Sequence, residues 1–301
     1  MSVRTQAPAA PGTPAPAAST PAPGGARPRR FPLRRLLPRR APAPGLALAW
    51  AVVALVLLWA LAPTLFTSAD PLVGDPGDKL LPPGAGHVFG TDHLGRDLYA
   101  RVVYGAWLSL NGVAVAVTLS VVVGSLLGLL AGYFGGILDD LVMRLCDVLL
   151  AIPSLLLSMA IITVLGHGSV KVAVAVGIAG VAGFARTVRS EVLRVRGTGY
   201  VEAARAGGVR PGTVLLRHVV PNARRPAVVL ATIEFGTSLL SIAGLSFLGY
   251  GEPPPQPEWG ALVAGGRDYL ETAWWLTTVP GLVVVAVVLS VNRISRERRQ
   301  P

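Results

Sequence analysis

Tyr200-Val201-Glu202-Ala203-Ala204-Arg205-Ala206-Gly207-Gly208, followed at once by Val209-Arg210-Pro211-Gly212-Thr213, lies between two strongly apolar runs and organises the reading of the whole chain. The alanines with Glu202 and Arg205 favour helix, and Gly207-Gly208 is a stop, so the spacing predicts a short helix closed by glycine. Arg210-Pro211 forbids simple continuation, and Pro211-Gly212-Thr213 predicts a second helical start leading to Val219-Val220-Pro221-Asn222. Ala203 and Ala204 are small enough to let a partner surface approach closely, while Glu202 offers a charge that orients it. The segment 186–225 that holds this stretch has 40 residues, more than a tight connection needs.

Outward from it the chain is apolar. Of 301 residues 52% are hydrophobic and 14% charged, with a mean hydropathy of +0.57, which is the composition of a membrane protein. The 35 glycines show no triplet period, and Cys146 is the sole cysteine, so collagen-like and disulfide-stapled classes fall away. About 20 helical residues cross a hydrocarbon core of about 30 Å. Six stretches qualify as spans: 45–66, 107–131, 141–165, 172–185, 226–248 and 273–291. Residues 172–185 are short and must borrow length from Lys171 and Arg186. Residues 1–44, rich in Ala, Pro and Arg, read as a disordered basic cytoplasmic tail. A cleaved signal is a poorer reading of 45–66, because the apolar run is too long and Pro63 would follow the cut.

Charge orients the map. Segments 1–44, 132–140, 186–225 and 292–301 hold 21 Lys and Arg, against 5 in 67–106, 166–171 and 249–272. The positive-inside rule therefore places both termini in the cytoplasm and 67–106 and 249–272 outside. The net charge of +11 is thereby explained by topology, with lipid headgroups and no nucleic acid as its partners.

Catalytic signatures are missing. Neither lysine belongs to a G-K-[ST] phosphate loop, and no H-E-x-x-H or G-x-S-x-G run occurs. Within spans, Arg144 and Asp147 are spaced to pair on one helix face. Pro153 predicts a bend, with Ser154 placed to serve a freed carbonyl. Glu234 lacks an obvious sequence partner. Pro153 and Glu234 are the candidate pathway residues. Trp259, Trp274 and Trp275 read as interface-belt aromatics.

Glu202-Ala203-Ala204, with Gly208 six positions after Glu202 and Pro221 thirteen after Gly208, resembles the "EAA" cytoplasmic loop of binding-protein-dependent ABC importer permeases. Gly90-Thr91-Asp92-His93-Leu94-Gly95-Arg96-Asp97, followed by Tyr104-Gly105-Ala106-Trp107-Leu108-Ser109-Leu110, is similar to the signature of the second ("C-type") permease of dipeptide, oligopeptide and nickel importers. Leu245-Ser246-Phe247-Leu248-Gly249, Trp259-Gly260, Gly266-Arg267-Asp268-Tyr269 and Trp274-Trp275 are similarly placed in that family. His218, Val220 and Ile242 depart from its usual pattern.

The resemblance implies an all-α membrane protein of six transmembrane helices with the type I ABC importer permease (MetI-like) fold. Its core would be five helices over 107–291, with the EAA loop at 186–225 and an outer re-entrant segment at 249–272. It implies a multi-pass subunit of the bacterial inner membrane, without catalysis or cofactor of its own. ATP and magnesium would be bound by two cytoplasmic ABC ATPase subunits. A second, nonidentical permease would complete the pathway for peptide or nickel, and an extracytoplasmic solute-binding protein would deliver the solute. Glu202, Ala203, Ala204, Gly208 and Pro221 would couple to the ATPase, and Gly90, Thr91, Asp92, Gly95, Arg96 and Asp97 would form the signature outer segment. A stand-alone secondary transporter or channel is the competing expectation.

Overall fold

The computed structural model describes residues 44–297, the side chains of 224 and 225 excepted. The tail expected over 1–44, save Pro44, and the last four residues of the tail expected over 292–301 lie outside the described residues. Within them the chain forms ten α-helices and no β-strand: α1 Pro44–Leu61, α2 Leu98–Phe134, α3 Gly136–Ala151, α4 Ser154–Leu165, α5 Ser169–Arg196, α6 Gly199–Ala206, α7 Pro211–Val214, α8 Val220–Phe247, α9 Trp259–Gly266 and α10 Trp275–Glu297. Five of these, α1, α2, α5, α8 from Pro226 onward and α10, are long and apolar enough to cross a membrane; α3 and α4 together make a sixth if counted as one bent span.

The expected span 141–165 is two helices set at 95° to each other. Pro153 has no N–H to donate and disfavours helical geometry in the residue before it, and Ile152 accordingly adopts an extended conformation. α4 then begins with Leu157 N–H donating to Pro153 O at 3.0 Å, and Ser158 Oγ donates to Ser154 O at 2.8 Å within it. The Ser158 bond lies inside α4, and the role expected of Ser154 toward a carbonyl freed by Pro153 is not seen. Asp147 pairs with Arg186 of α5, not with Arg144 as its spacing suggested. Asp139 pairs with Arg189 on the same helix, so the two acids tie α3 to α5 and leave the i, i+3 partner unused.

α5 is the central helix. The 14-residue run expected at 172–185 belongs to a helix of 28 residues that packs against α2, α3, α4 and α8. Its contact with α2 is built on small residues. Gly112, Ala116, Ser120, Gly124, Gly128 and Gly132 recur every fourth position along α2 and all are buried, which lines them up on one helix face. Without their side chains the two backbones approach closely, the arrangement that drives helix association in apolar surroundings. A Cβ at Gly124 would lie 2.8 Å from Phe184 Cβ, and one at Gly132 would lie 3.0 Å from Arg189 O. Gly177 reciprocates from α5, where a Cβ would lie 2.9 Å from Ala116 O.

α2 has 37 residues and reaches beyond the expected 107–131 at both ends. It begins beside α9, where Trp259 Nε1 donates to Val102 O at 2.9 Å, and ends beside α7, where Tyr133 Oη donates to Pro211 O at 2.6 Å. These contacts define an α9 face and an α6 face. Trp259 and Trp275 are buried, and only Trp274 is half exposed. The belt reading therefore fails for Trp259 and Trp275, whose indoles have carbonyl partners inside the protein, Val102 O and, at 3.2 Å, Thr91 O.

The outer-segment residues form a turn that starts α2. Gly90 and Gly95 have φ of +77° and +76°. At Gly95 a side chain would also run into the Asp75 backbone. Asp92 Oδ1 accepts from Leu94 N–H at 2.8 Å and Arg96 N–H at 3.0 Å, while Arg96 Nε donates to Asp92 Oδ2 at 2.7 Å. Asp97 Oδ1 caps α2 by accepting from Ala100 N–H at 2.8 Å. Thr91 Oγ1 accepts from Leu81 N–H at 2.8 Å and donates to Asp78 O. Arg101 then staples three segments, donating from Nη1 to Pro71 O at 2.8 Å and from Nη2 to Pro255 O at 3.3 Å.

Candidate coupling site

The sequence Gly199–Ala206 folds as the short helix expected, and its terminator works through Gly208. Gly207 N–H donates to Ala203 O at 2.9 Å, Gly208 N–H to Arg205 O at 3.0 Å and Val209 N–H to Ala204 O at 3.1 Å. Gly208 turns the chain with φ +76°, a conformation that costs a Cβ-bearing residue about 1 kcal/mol or more. Nothing crowds Gly208, so backbone conformation and not space demands glycine here.

α6 has an inner and an outer side. Val201 is buried, and Ala204 packs against a cluster that includes Tyr133, Val188, Val192, Val195, Val214 and Val219. Glu202, Ala203, Arg205 and Ala206 are exposed. The helix therefore sits on the ends of α2 and α5 through valine and alanine and offers a small, singly acidic surface away from the protein. Pro221 is exposed too, but it belongs to the start of α8. Residues 215–219 form one π-turn, in which Val220 N–H donates to Leu215 O. The wider turn lies directly before Pro221, whose ring would otherwise press on the carbonyl four residues back. Residues 211–247 thus run from the segment after α6 into the apolar helix without a loop.

The two pathway candidates are not brought together. Pro153 is exposed at the α3–α4 break. Glu234 lies on α8 against α2 and α5, its Oε1 filling the space that a Cβ at Gly180 would take, beside the Ser120 hydroxyl. Sequence reading left Glu234 without a partner, since Ser120 and Gly180 are remote in the chain.

Sequence reading also missed Glu258. It is 2% exposed and caps α9, accepting from Gly260 N–H and Ala261 N–H at 3.0 Å each. Ser109 Oγ accepts from Trp259 N–H at 3.1 Å and lies 3.4 Å from Glu258 Oε1. Burial pushes this carboxyl above its ordinary value, and its hydrogen-bond donors pull in the opposite direction. An acid immediately before Trp259-Gly260-Ala261 was the available signal.

Comparison with known proteins supplies the context. Residues 124–299, more than half of the chain, match the family described as binding-protein-dependent transport system inner membrane component. The dipeptide transport system permease protein of Alkalihalophilus pseudofirmus is 40% identical over 81% of this chain and 80% of its own. The di/tripeptide transport system permease protein of Pseudomonas aeruginosa is 42% identical over 68% of each. The glutathione transport system permease protein of Escherichia coli is 44% identical over 70% of this chain and 69% of its own. Among solved structures, an amino acid ABC transporter with histidines matches 67% of this chain and 95% of its own at 17% identity and a TM-score of 0.55. The inward facing MetNI methionine ABC transporter matches 66% and 97% at 23% identity and the same TM-score. These two bear on the fold, which is the type I permease arrangement expected.

Proposed function

Since the chain belongs to the family of binding-protein-dependent transport system inner membrane components, we propose that it is one of two permease subunits of an ATP-driven importer. In this reading α6 is the helix on which the ATPase subunits act. The observation that carries it is the division of α6 into an inward side, buried Val201 and half-buried Ala204, and an exposed side, Glu202 and Ala203, closed by a glycine at positive φ. A surface of small side chains lets a partner groove approach the backbone, and Glu202 fixes the register by charge.

The α6 face is the cytoplasmic one, because Arg194, Arg196, Arg205, Arg210 and Arg217 cluster there while the α9 face carries mostly acids. ATP and magnesium belong to the two ATPase subunits. Their closure draws together the coupling helices of this chain and of a second, nonidentical permease, a rigid-body transition between inward- and outward-open states. A solute-binding protein delivers the solute at the α9 face. The names of the relatives, dipeptide, di/tripeptide and glutathione permeases, favour a peptide over nickel.

The test is uptake per ATP hydrolysed by the complete complex in proteoliposomes. Gly208→Val, which forces a β-branched residue into the left-handed conformation, and Glu202→Lys are expected to lower that ratio at least tenfold without loss of membrane insertion. An unchanged ratio in both variants refutes α6 as the coupling element, and full-rate uptake by this chain alone refutes the importer reading.

A further inference from the structure

Tyr133 is the penultimate residue of α2, directly after the last glycine of the small-residue stripe. It is 5% exposed, yet it is bound by polar contacts from three sides. Its hydroxyl donates to Pro211 O, the first residue of α7, at 2.6 Å. Its ring lies under the Arg205 guanidinium of α6 at 5.4 Å from the ring centroid. Its carbonyl, one of those that a helix end leaves unpaired, accepts from Arg196 Nη1 of α5 at 3.0 Å, and the same nitrogen lies 3.4 Å from Gly132 O. The ring also belongs to the cluster that buries Val201 and Val214. One residue, through its carbonyl, ring and hydroxyl, therefore touches α5, α6 and α7.

The place of this contact gives it a consequence. Gly124, Gly128 and Gly132 hold α2 against the backbone of α5 just above Tyr133, so α2 and α5 move as one body. α6, with eight residues, has no comparable hold of its own: Val201 is its single buried residue. A short helix pushed by a partner slides or rotates unless both its ends are fixed to the body it is to move. The Arg205 stack fixes the C-terminal turn of α6, and the hydroxyl bond fixes the chain five residues beyond Ala206.

We infer that Tyr133 is a positioning residue that fastens the coupling helix to the α2–α5 pair, so that displacement of α6 is delivered into the membrane-crossing helices. The inference rests on the proposed role of α6 and adds the residue through which that role is exercised. The hydroxyl holds Pro211 O in register, and the ring carries Arg205 and covers Val201. Removing the hydroxyl alone loosens the seat, and removing the ring releases it.

The experiment measures peptide uptake and ATP hydrolysis by the same assembled complex in proteoliposomes for wild type, Tyr133→Phe, Tyr133→Leu and Gly208→Val, each normalised to co-purified ATPase subunit. A nitroxide pair at Ala203→Cys and Asp140→Cys reports the distance between α6 and α3 with and without nucleotide. Tyr133→Phe loses one neutral hydrogen bond and is expected to lower uptake per ATP by about two- to tenfold. Tyr133→Leu is expected to lower it further, and in both the label distances broaden when nucleotide is added. A structural role alone would lower the yield of complex and leave the ratio and the distances as in wild type. If Gly208→Val uncouples while both Tyr133 variants keep the wild-type ratio and a narrow distance distribution, Tyr133 is not the fastening. If Gly208→Val, and Glu202→Lys run beside it, also leave the ratio unchanged, the role of α6 itself is wrong.

Discussion

Replacing Gly128 by alanine isolates what holds α2 to α5. A Cβ built there meets Ala185 O directly and lies 3.0 Å from both Arg189 N and Val188 Cβ. Two of those three neighbours are backbone atoms of α5, so the contact is relieved only by moving one helix relative to the other. Gly183, in the middle of α5, has no atom within 4 Å of its own built Cβ and serves as the matched control. Alanine in a helix interior is worth about 0.5–1 kcal/mol over glycine, a gain shared by both sites. Overpacking a fitted contact costs about 1–3 kcal/mol, and only Gly128→Ala incurs it. The difference between the two variants therefore reports the steric term directly, with Gly183→Ala above wild type and Gly128→Ala below Gly183→Ala by about 1–3 kcal/mol. SDS-titrated unfolding of the full-length chain in mixed micelles, followed by the fluorescence of buried Trp259 and Trp275, measures both. Equal stability of the two variants would refute close backbone approach as the basis of the α2–α5 contact.

Glu258 predicts a pH dependence of stability. Its folded-state carboxyl binds its proton more tightly than an ordinary carboxyl of pKa 4.5, so the folded protein holds more protons than the unfolded one above pH 4.5, and stability falls as pH rises from there to the folded value. Thermal unfolding of Glu258→Gln across pH 4 to 8 is expected to show a shallower decline than wild type, and parallel curves would contradict the assignment. Arg101→Lys keeps the charge but loses the planar fork that reaches both Pro71 O and Pro255 O. A loss of about 1–3 kcal/mol is expected, measured by the same unfolding titration, and an unaltered midpoint would show that the staple is dispensable.

What was legible from the sequence followed from local physics. Five apolar runs became membrane-length helices because length and hydropathy alone decide that question, and the Gly207-Gly208 stop ended α6 where it was expected. Pro153 marked the bend but not its extent of 95°, and the ion pairs from Asp139 and Asp147 to α5 were not legible either. Arg144 lay closer in sequence to Asp147 than Arg186 does, and tertiary packing chose the distant partner. Hydropathy truncated α2 at 107 because Arg101 interrupts the run, yet Arg101 is buried by loop carbonyls rather than by lipid. The small-residue stripe was present in the sequence as a four-residue period from Gly112 to Gly132. Tyr133 carried no signal, because its partner carbonyl is 78 residues away.

The 37 residues of α2 extend to roughly 55 Å at about 1.5 Å per residue, against a hydrocarbon thickness of about 30 Å. One end is pinned by Asp97 and the Arg101 staple, and the other carries Tyr133. A lever of that length converts a tilt of ten degrees into a sweep of roughly 10 Å at its far tip, by the same helix rise. The two surfaces of the molecule are thus joined by a single continuous rod, so that a small tilt about the pinned end is read out, magnified, at the Tyr133 end.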